Sequence, residues 1–313
     1  MTGRLGAWAL PARTLLLSAV VTVVLVAAIV VAYLAGGTQG ALALGMGAMA
    51  SLRPAISLRP LHSFALAAPT AMAGAVAVAL RGQPLAAAFF VVLCCLLVAP
   101  AGMLQDGLLA MVPTVVAVLV LVPGDFQPGR TAIWMLIGGA LAVAVATRLP
   151  RTNPVAGVEQ RRAWRHAAVM AVSVGAVVYL VGLWDLPHGY WVALTLTVVL
   201  RPFDDQTMKK STQRVLGTIA GALFALVAAL FLPVWALLVL LVLSTVLSAA
   251  YALKPDYTRQ VLFMTPAVVL LGSAGHPLLI ASERAIATLA GALLAVAIAL
   301  GLATFENRRM AKE

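Results

Sequence analysis

The sequence predicts an all-helical, polytopic membrane protein of about twelve transmembrane or re-entrant helices, arranged as two parallel six-segment repeats. Three observations predict it: the composition, the alternation of apolar runs with charged turns, and the recurrence of landmarks in both halves. At 63% hydrophobic, 10% charged and a mean hydropathy of +1.05, the 313 residues hold too little polar surface to clothe a soluble globule. A membrane span needs only about 20 apolar residues.

The chain opens with Arg4 and Arg13, followed by an apolar run from Leu15 to Leu34. That run exceeds the roughly 7 to 15 residues of a signal-peptide core and the sequence stays apolar after it, so it is read as the first span. Further apolar segments cover Ala41 to Leu52, Leu61 to Leu80, Leu85 to Val98, Leu108 to Val122 and Thr131 to Leu149. After the polar linker RTNPVAGVEQRRAWRH come Ala167 to Leu183, Tyr190 to Leu200, Val215 to Phe231, Pro233 to Ala250, Tyr257 to Leu271 and Glu283 to Phe305. The predicted organisation is therefore a degenerate first repeat (1–149), a cytoplasmic basic linker (150–166), a second repeat (167–305) and a cytoplasmic tail (306–313). The second and eighth segments are short for a full crossing, which leaves them tilted, re-entrant or extended by their neighbours.

Charge tests this count, because basic loops stay in the cytoplasm. With the N-terminus inside, 18 of the 21 basic residues fall on cytoplasmic segments and only Arg81, Arg130 and Arg284 fall outside. Both termini are thus expected in the cytoplasm of a bacterium whose inner membrane holds the protein. The net charge of +11 reads as a topology signal rather than a nucleic-acid signal, since no basic helix or aromatic platform accompanies it. Cys94 and Cys95 are adjacent in an apolar run, giving neither a disulfide framework nor a zinc spacing, and no cofactor or metal is predicted.

The halves share landmarks in a common order. Arg53-Pro54 and Arg201-Pro202 end the second and eighth segments, 148 residues apart (201 − 53). Asp106 precedes MVPTVVAVLVL as Asp256 precedes MTPAVVLL, and GGALAVAVA at Gly138 matches AGALLAVAIA at Ala290. An even number of spans per half makes the repeats parallel, related by an axis along the membrane normal.

The stretch from Gly189 to Leu230 organises the second half. Tyr190 and Trp191 open it with interfacial rings, Arg201-Pro202 closes the first segment, and a basic loop carries Asp204, Asp205, Lys209, Lys210 and Arg214. Gly217, Gly221 and Ala225 then fall four apart, a small-residue face for close helix contact. This hairpin, with RVLGTIAGAL and the downstream SERAIATLAGALLA, resembles the fusaric acid resistance protein-like family of bacterial membrane proteins, over roughly Ala167 to Phe305. The resemblance implies a membrane transporter, with aromatic carboxylic acid exporters among the family. It also implies proton coupling, for which no ionisable residue stands at the centre of a predicted span. Members often carry a sizeable soluble domain between or after the membrane halves, and between its halves this chain has only the linker. The family is similar in turn to the plant aluminium-activated malate transporters, which keeps an uncoupled anion channel open as a reading.

An organic-anion transporter needs a positive or hydrogen-bonding site for the carboxylate and an apolar wall for the ring. Arg284, at the outer start of the last segment, is the first candidate, against a salt bridge with Glu283 or snorkelling to the interface. Arg214 is the second, against pairing with a lipid phosphate or with Asp204 or Asp205. Arg53 and Arg201 mark the cytoplasmic entry; Thr218 is a candidate hydrogen-bond donor to substrate, against bonding its own helix backbone; Tyr190 and Trp191 are candidates for stacking on a ring, against an interfacial belt role. Gly217, Gly221 and Gly291 read as packing positions, and Asp106, Asp256 and Glu283 as candidate proton sites, with helix capping the competing role of the two aspartates. Ser273 with His276 and Asp204 with Asp205 come nearest to catalytic groupings, yet neither has a third orienting residue, and no HExxH, GxSxG or P-loop is present. An enzyme is therefore disfavoured, while a membrane scaffold would show the same packing motifs. Expected partners are membrane lipids, a small organic anion and a second copy of the chain, with any accessory efflux component unknown.

Overall fold

The computed structural model describes residues 11–105, 107–149, 156–186, 188–200, 204–253, 256–272 and 277–310. Every regular element among them is a helix: α1 (Ala12–Ser57), α2 (Pro60–Ala79), α3 (Pro84–Leu96), α4 (Val98–Leu104), α5 (Val112–Leu121), α6 (Pro128–Ala146), α7 (Gln160–Leu183), α8 (Tyr190–Val199), α9 (Asp204–Phe231), α10 (Val234–Leu253), α11 (Tyr257–Gly272) and α12 (Pro277–Met310). Among the described residues, eight helices are long and apolar enough to cross a membrane, with α3 and α4 counted together, whereas α5 and α8 are shorter apolar helices. Arg201 and Asp106 lie outside the described residues, as do Ser273 and His276.

Several boundaries differ from those expected, each for a local reason. The first two expected segments form the single element α1, kinked at Gly37, whose backbone (φ 63°, ψ −156°) lies in a region that glycine enters without a Cβ clash. Arg53-Pro54 does not end that element, which continues to Ser57. The expected Leu85–Val98 segment is interrupted at Leu97, because Pro100 has no N–H to offer the carbonyl of Leu96. The basic loop after Pro202 is mostly helix. α9 already begins at Asp204, with Asp204 and Asp205 in its first turn at the positive end of the helix dipole, so Lys209, Lys210 and Arg214 are helical. The linker becomes helical from Gln160, and α12 begins at Pro277, the residue best suited to a first helical position, so Arg284 lies two turns inside the helix rather than at its start.

The chain divides into two compact units. The larger comprises residues 27–211 and 289–313. In its core α3 packs along α7, with Ala87, Val91, Cys94 and Cys95 among the same buried cluster as Met170, Ala171, Val174 and Val178. The helix α5 is apolar all round and correspondingly buried: Val115, Val116, Ala117 and Leu119 have no exposed surface. Its Thr114 hydroxyl donates to Thr197 on α8 at 2.9 Å, and Thr197 donates on to the carbonyl of Leu194 at 2.9 Å. At the α2–α3 turn, Arg81 donates to the carbonyls of Leu119 (2.8 Å) and Gly124 (2.6 Å) and lies 4.0 Å over the ring of Phe126.

Glycines set the closest crossings of this unit. A Cβ on Gly138 of α6 would strike the carbonyl oxygen of Leu44 on α1, and one on Gly291 of α12 would lie 3.0 Å from the carbonyl oxygen of Val192 on α8. Leu44 and Val192 are 148 residues apart (192 − 44), as are two residues of positive φ, Gly37 at 63° and Asp185 at 48° (185 − 37). These contacts and backbone conformations fall on the offset that separates Arg53 from Arg201.

The smaller unit comprises residues 1–26 and 212–288. Its α10 and α11 form a hairpin held by the parallel rings of Tyr251 and Phe263 (5.7 Å, 5°), by the Ser248 hydroxyl donating to the carbonyl of Gln260 at 3.1 Å, and by the Arg259 guanidinium 5.7 Å from the Tyr251 ring. Here α9 lies against α11.

The close crossings predict the sign of glycine substitutions. Gly138→Ala should destabilise the folded protein by about 1–3 kcal/mol through overpacking. Gly45→Ala, which meets nothing within 4 Å, should leave it unchanged or more stable. Thermal unfolding of the two variants in detergent checks the contrast.

Candidate functional site

On α9 the residues spaced by helical turns form one buried face: Arg214, Thr218, Ala222 and Ala225. This face meets α11. A Cβ on Gly217 would lie 2.8 Å from the carbonyl oxygen of Thr258 and 2.9 Å from Val261, and one on Gly221 would meet the Leu262 carbonyl oxygen and lie 2.8 Å from Thr265. The Leu262 carbonyl has lost its helical donor, because the residue four positions on is Pro266. Glycine at 221 lets the α9 backbone approach that freed oxygen directly. Gly217 and Gly221 of α9 lie against α11 within the chain.

Above this contact sits Arg214, only 3% exposed. Its Nη1 donates to the Tyr257 hydroxyl at 3.2 Å, while its Nε and Nη2 are buried with no hydrogen-bond partner among the described residues. The Thr218 hydroxyl, one turn along, is also buried without a partner among them. A guanidinium in an apolar surrounding costs several kcal/mol unless an anion or a full set of acceptors accompanies it. One long bond to a neutral phenol falls short of that. The arrangement is a cation with two nitrogens, and a hydroxyl on the same helix face, that lack partners among the described residues, the chemistry that holds a carboxylate.

The same pattern occurs on α12. Arg214-x-x-Gly-Thr218-Ile-Ala-Gly221-Ala222-Leu and Arg284-x-x-Ala-Thr288-Leu-Ala-Gly291-Ala292-Leu repeat one another at an offset of 70 residues (284 − 214). Burial repeats with them: Arg284 has no exposed surface, and Thr288, Ala292 and Ala295 are buried. Arg284 is thus enclosed by protein. Comparing the two halves with each other does not find this pair, because both members lie in the second half; comparing helix with helix inside that half does.

The remaining candidates are distributed. Tyr190 and Trp191 are half-buried at the start of α8, their rings 5.0 Å apart at 38°, with His188 6.0 Å from Tyr190. One turn on, α8 receives Gly291 at Val192 and Thr195. Arg53 is half-buried, its Nε 3.9 Å from the position a Cβ on Gly107 would take. Asp256 caps α11: one oxygen accepts the Arg259 backbone N–H at 3.1 Å, and the other pairs with the Arg259 guanidinium at 3.1 Å. Glu283 is half-buried beside Arg284 in the sequence.

Comparison with known proteins covers this half of the chain. Residues 173–298, from within α7 to within α12, match a family model described as fusaric acid resistance protein-like. The chain is 32% identical over 141 residues to the uncharacterized protein slr1298 of Synechocystis sp., covering 44% of this chain and 18% of that one. It is 30% identical over 134 residues to the inner membrane protein YccS of Escherichia coli, covering 42% of this chain and 18% of that one. The chain thus spans about a fifth of the length of these curated relatives. No solved structure matches it. The protein is membrane-embedded, and its residues 173–298, the six helices that carry both arginine–threonine patterns, are similar to the fusaric acid resistance protein-like family.

Proposed function

We propose that this protein exports small organic anions, aromatic carboxylates among them, across a bacterial inner membrane with both termini in the cytoplasm. The observation that carries the reading is Arg214, a buried cation whose Nε and Nη2 lack partners among the described residues, next to a hydroxyl in the same condition. The relative named as an inner membrane protein and the family of residues 173–298 support the membrane and the class of activity. In this reading an anion enters past the basic turns at Arg53 and Arg201, is held at Arg214 and Thr218, and leaves past Arg284, with Tyr190 and Trp191 the candidates for stacking on its ring. The two membrane halves descend from one duplicated six-segment unit, a reading supported by the 148-residue offset in contacts and positive-φ residues.

Coupling to protons would need an acid that changes charge during the cycle. Asp106, Asp256 and Glu283 are the candidates; the ion pair and cap of Asp256 hold it to a structural task, which favours the other two. An uncoupled anion channel is the second reading, favoured by the lack of an evident acid at the centre of a span.

Efflux of labelled benzoate from proteoliposomes, with and without an imposed pH gradient, separates these readings. Accumulation driven by the pH gradient is the outcome expected of a coupled exporter, and downhill voltage-sensitive flux is that expected of a channel. Replacing Arg214 with alanine should lower the rate at sub-saturating benzoate by about ten- to a hundredfold, as loss of charge-assisted hydrogen bonds does. Lysine at the same position should recover part of it. Arg284→Ala in protein that still reaches the membrane should also slow export, and an unchanged rate would remove Arg284 from the path.

A further inference from the structure

The duplicated pattern on α9 and α12 carries more than one arginine's worth of information. Both copies hold an arginine and, four residues on, a threonine on one buried helix face, and the Thr218 and Thr288 hydroxyls alike lack hydrogen-bond partners among the described residues. A buried hydroxyl without a partner costs free energy at each position, and valine of nearly the same shape would avoid that cost. Finding this feature twice, each time one turn from a buried arginine, is accounted for by a ligand that supplies the acceptor. The positive-inside distribution puts the N-terminal end of α9 at the cytoplasmic face and that of α12 at the outer face. The two arginine–threonine pairs then stand near opposite faces of the membrane.

We infer that the chain holds two carboxylate sites of one design, an inner site at Arg214 and Thr218 and an outer site at Arg284 and Thr288. The inference rests on the export reading above. In each site the guanidinium supplies charge and N–H donors and the threonine supplies an O–H, so a carboxylate exchanges its hydration for the same set of donors at either face. Two matched sites of moderate strength let an anion enter without being trapped, since leaving one site is offset by arrival at the next. Each site then sets the apparent affinity only on its own side.

Benzoate uptake into inside-out and right-side-out membrane vesicles tests this, because the two preparations load from opposite faces. Thr218→Val should raise the half-saturating benzoate concentration about tenfold in inside-out vesicles, the loss expected of a hydrogen bond to a charged group, and leave right-side-out vesicles unchanged. Thr288→Val should do the reverse. Thr218→Ser and Thr288→Ser, which keep the hydroxyl, should restore the wild-type values and exclude a packing effect. Equal shifts in both preparations would mean one shared site and would overturn the inference, as would the absence of any shift while wild-type transport is intact. Wild-type vesicles that carry no benzoate in either orientation would overturn the export reading itself, a result distinguishable from failure of the two-site pattern alone.

Discussion

The structure depends on backbone-to-backbone approach at small residues. Between helices in a bilayer the solvent is as apolar as the side chains, so association draws on close contact and satisfied polar groups rather than on expulsion of water. Gly138 against the carbonyl of Leu44, Gly291 against that of Val192 and Gly221 against that of Leu262 are three instances of one device. In each, a glycine puts its Cα hydrogens where a side chain would otherwise hold the neighbouring helix away, a weak attraction at short range that a methyl group abolishes. The Gly221 contact does a second task, since it covers a carbonyl that Pro266 has removed from the helix ladder.

Against that apolar packing, the buried arginines Arg214 and Arg284 stand out as charged groups. A glycine crossing needs nothing charged beside it, and an alanine at position 214 or 284 would continue the small-residue face. Arg214 is retained with a single neutral partner among the described residues, and its neighbour Thr218 with none. Asp256 and Arg259 show the contrasting case: a charged pair whose members answer each other at the end of a helix, where both remain partly accessible.

Much of this was legible in the sequence, and the failures have physical causes. Apolar runs and charged turns located the helices because a bilayer imposes a minimum apolar length, and the glycine spacing named the packing face before its partner was known. Boundaries were less legible where charge and helix coincide. The run from Asp204 to Arg214 reads as a loop because it is polar, yet acidic residues at its start favour a helix, and the helix continues into the membrane without a break. Pro54 was read as a terminator, although a proline leaves a helix intact when the freed carbonyl lies near its end. Arg284 was placed at the start of the last segment because Glu283 beside it marks the edge of the apolar run, whereas α12 already begins at Pro277. That Nε and Nη2 of Arg214 and the Thr218 hydroxyl lack partners among the described residues belongs to tertiary packing and has no signature in a single sequence.

The two short helices have an electrical consequence. Ten residues of α-helix extend about 15 Å, half of the roughly 30 Å hydrocarbon layer, so neither α5 nor α8 is long enough to cross it alone, and a helix of this length set within the layer has an end inside it. Both helices are buried in the core of the larger unit and joined there by the Thr114–Thr197 bond. Wherever water reaches such an end, the membrane voltage falls across the remaining half thickness, and the local field is about twice that of an unbroken bilayer. A charged solute in that region would feel the voltage over a distance set by helix length, not by lipid.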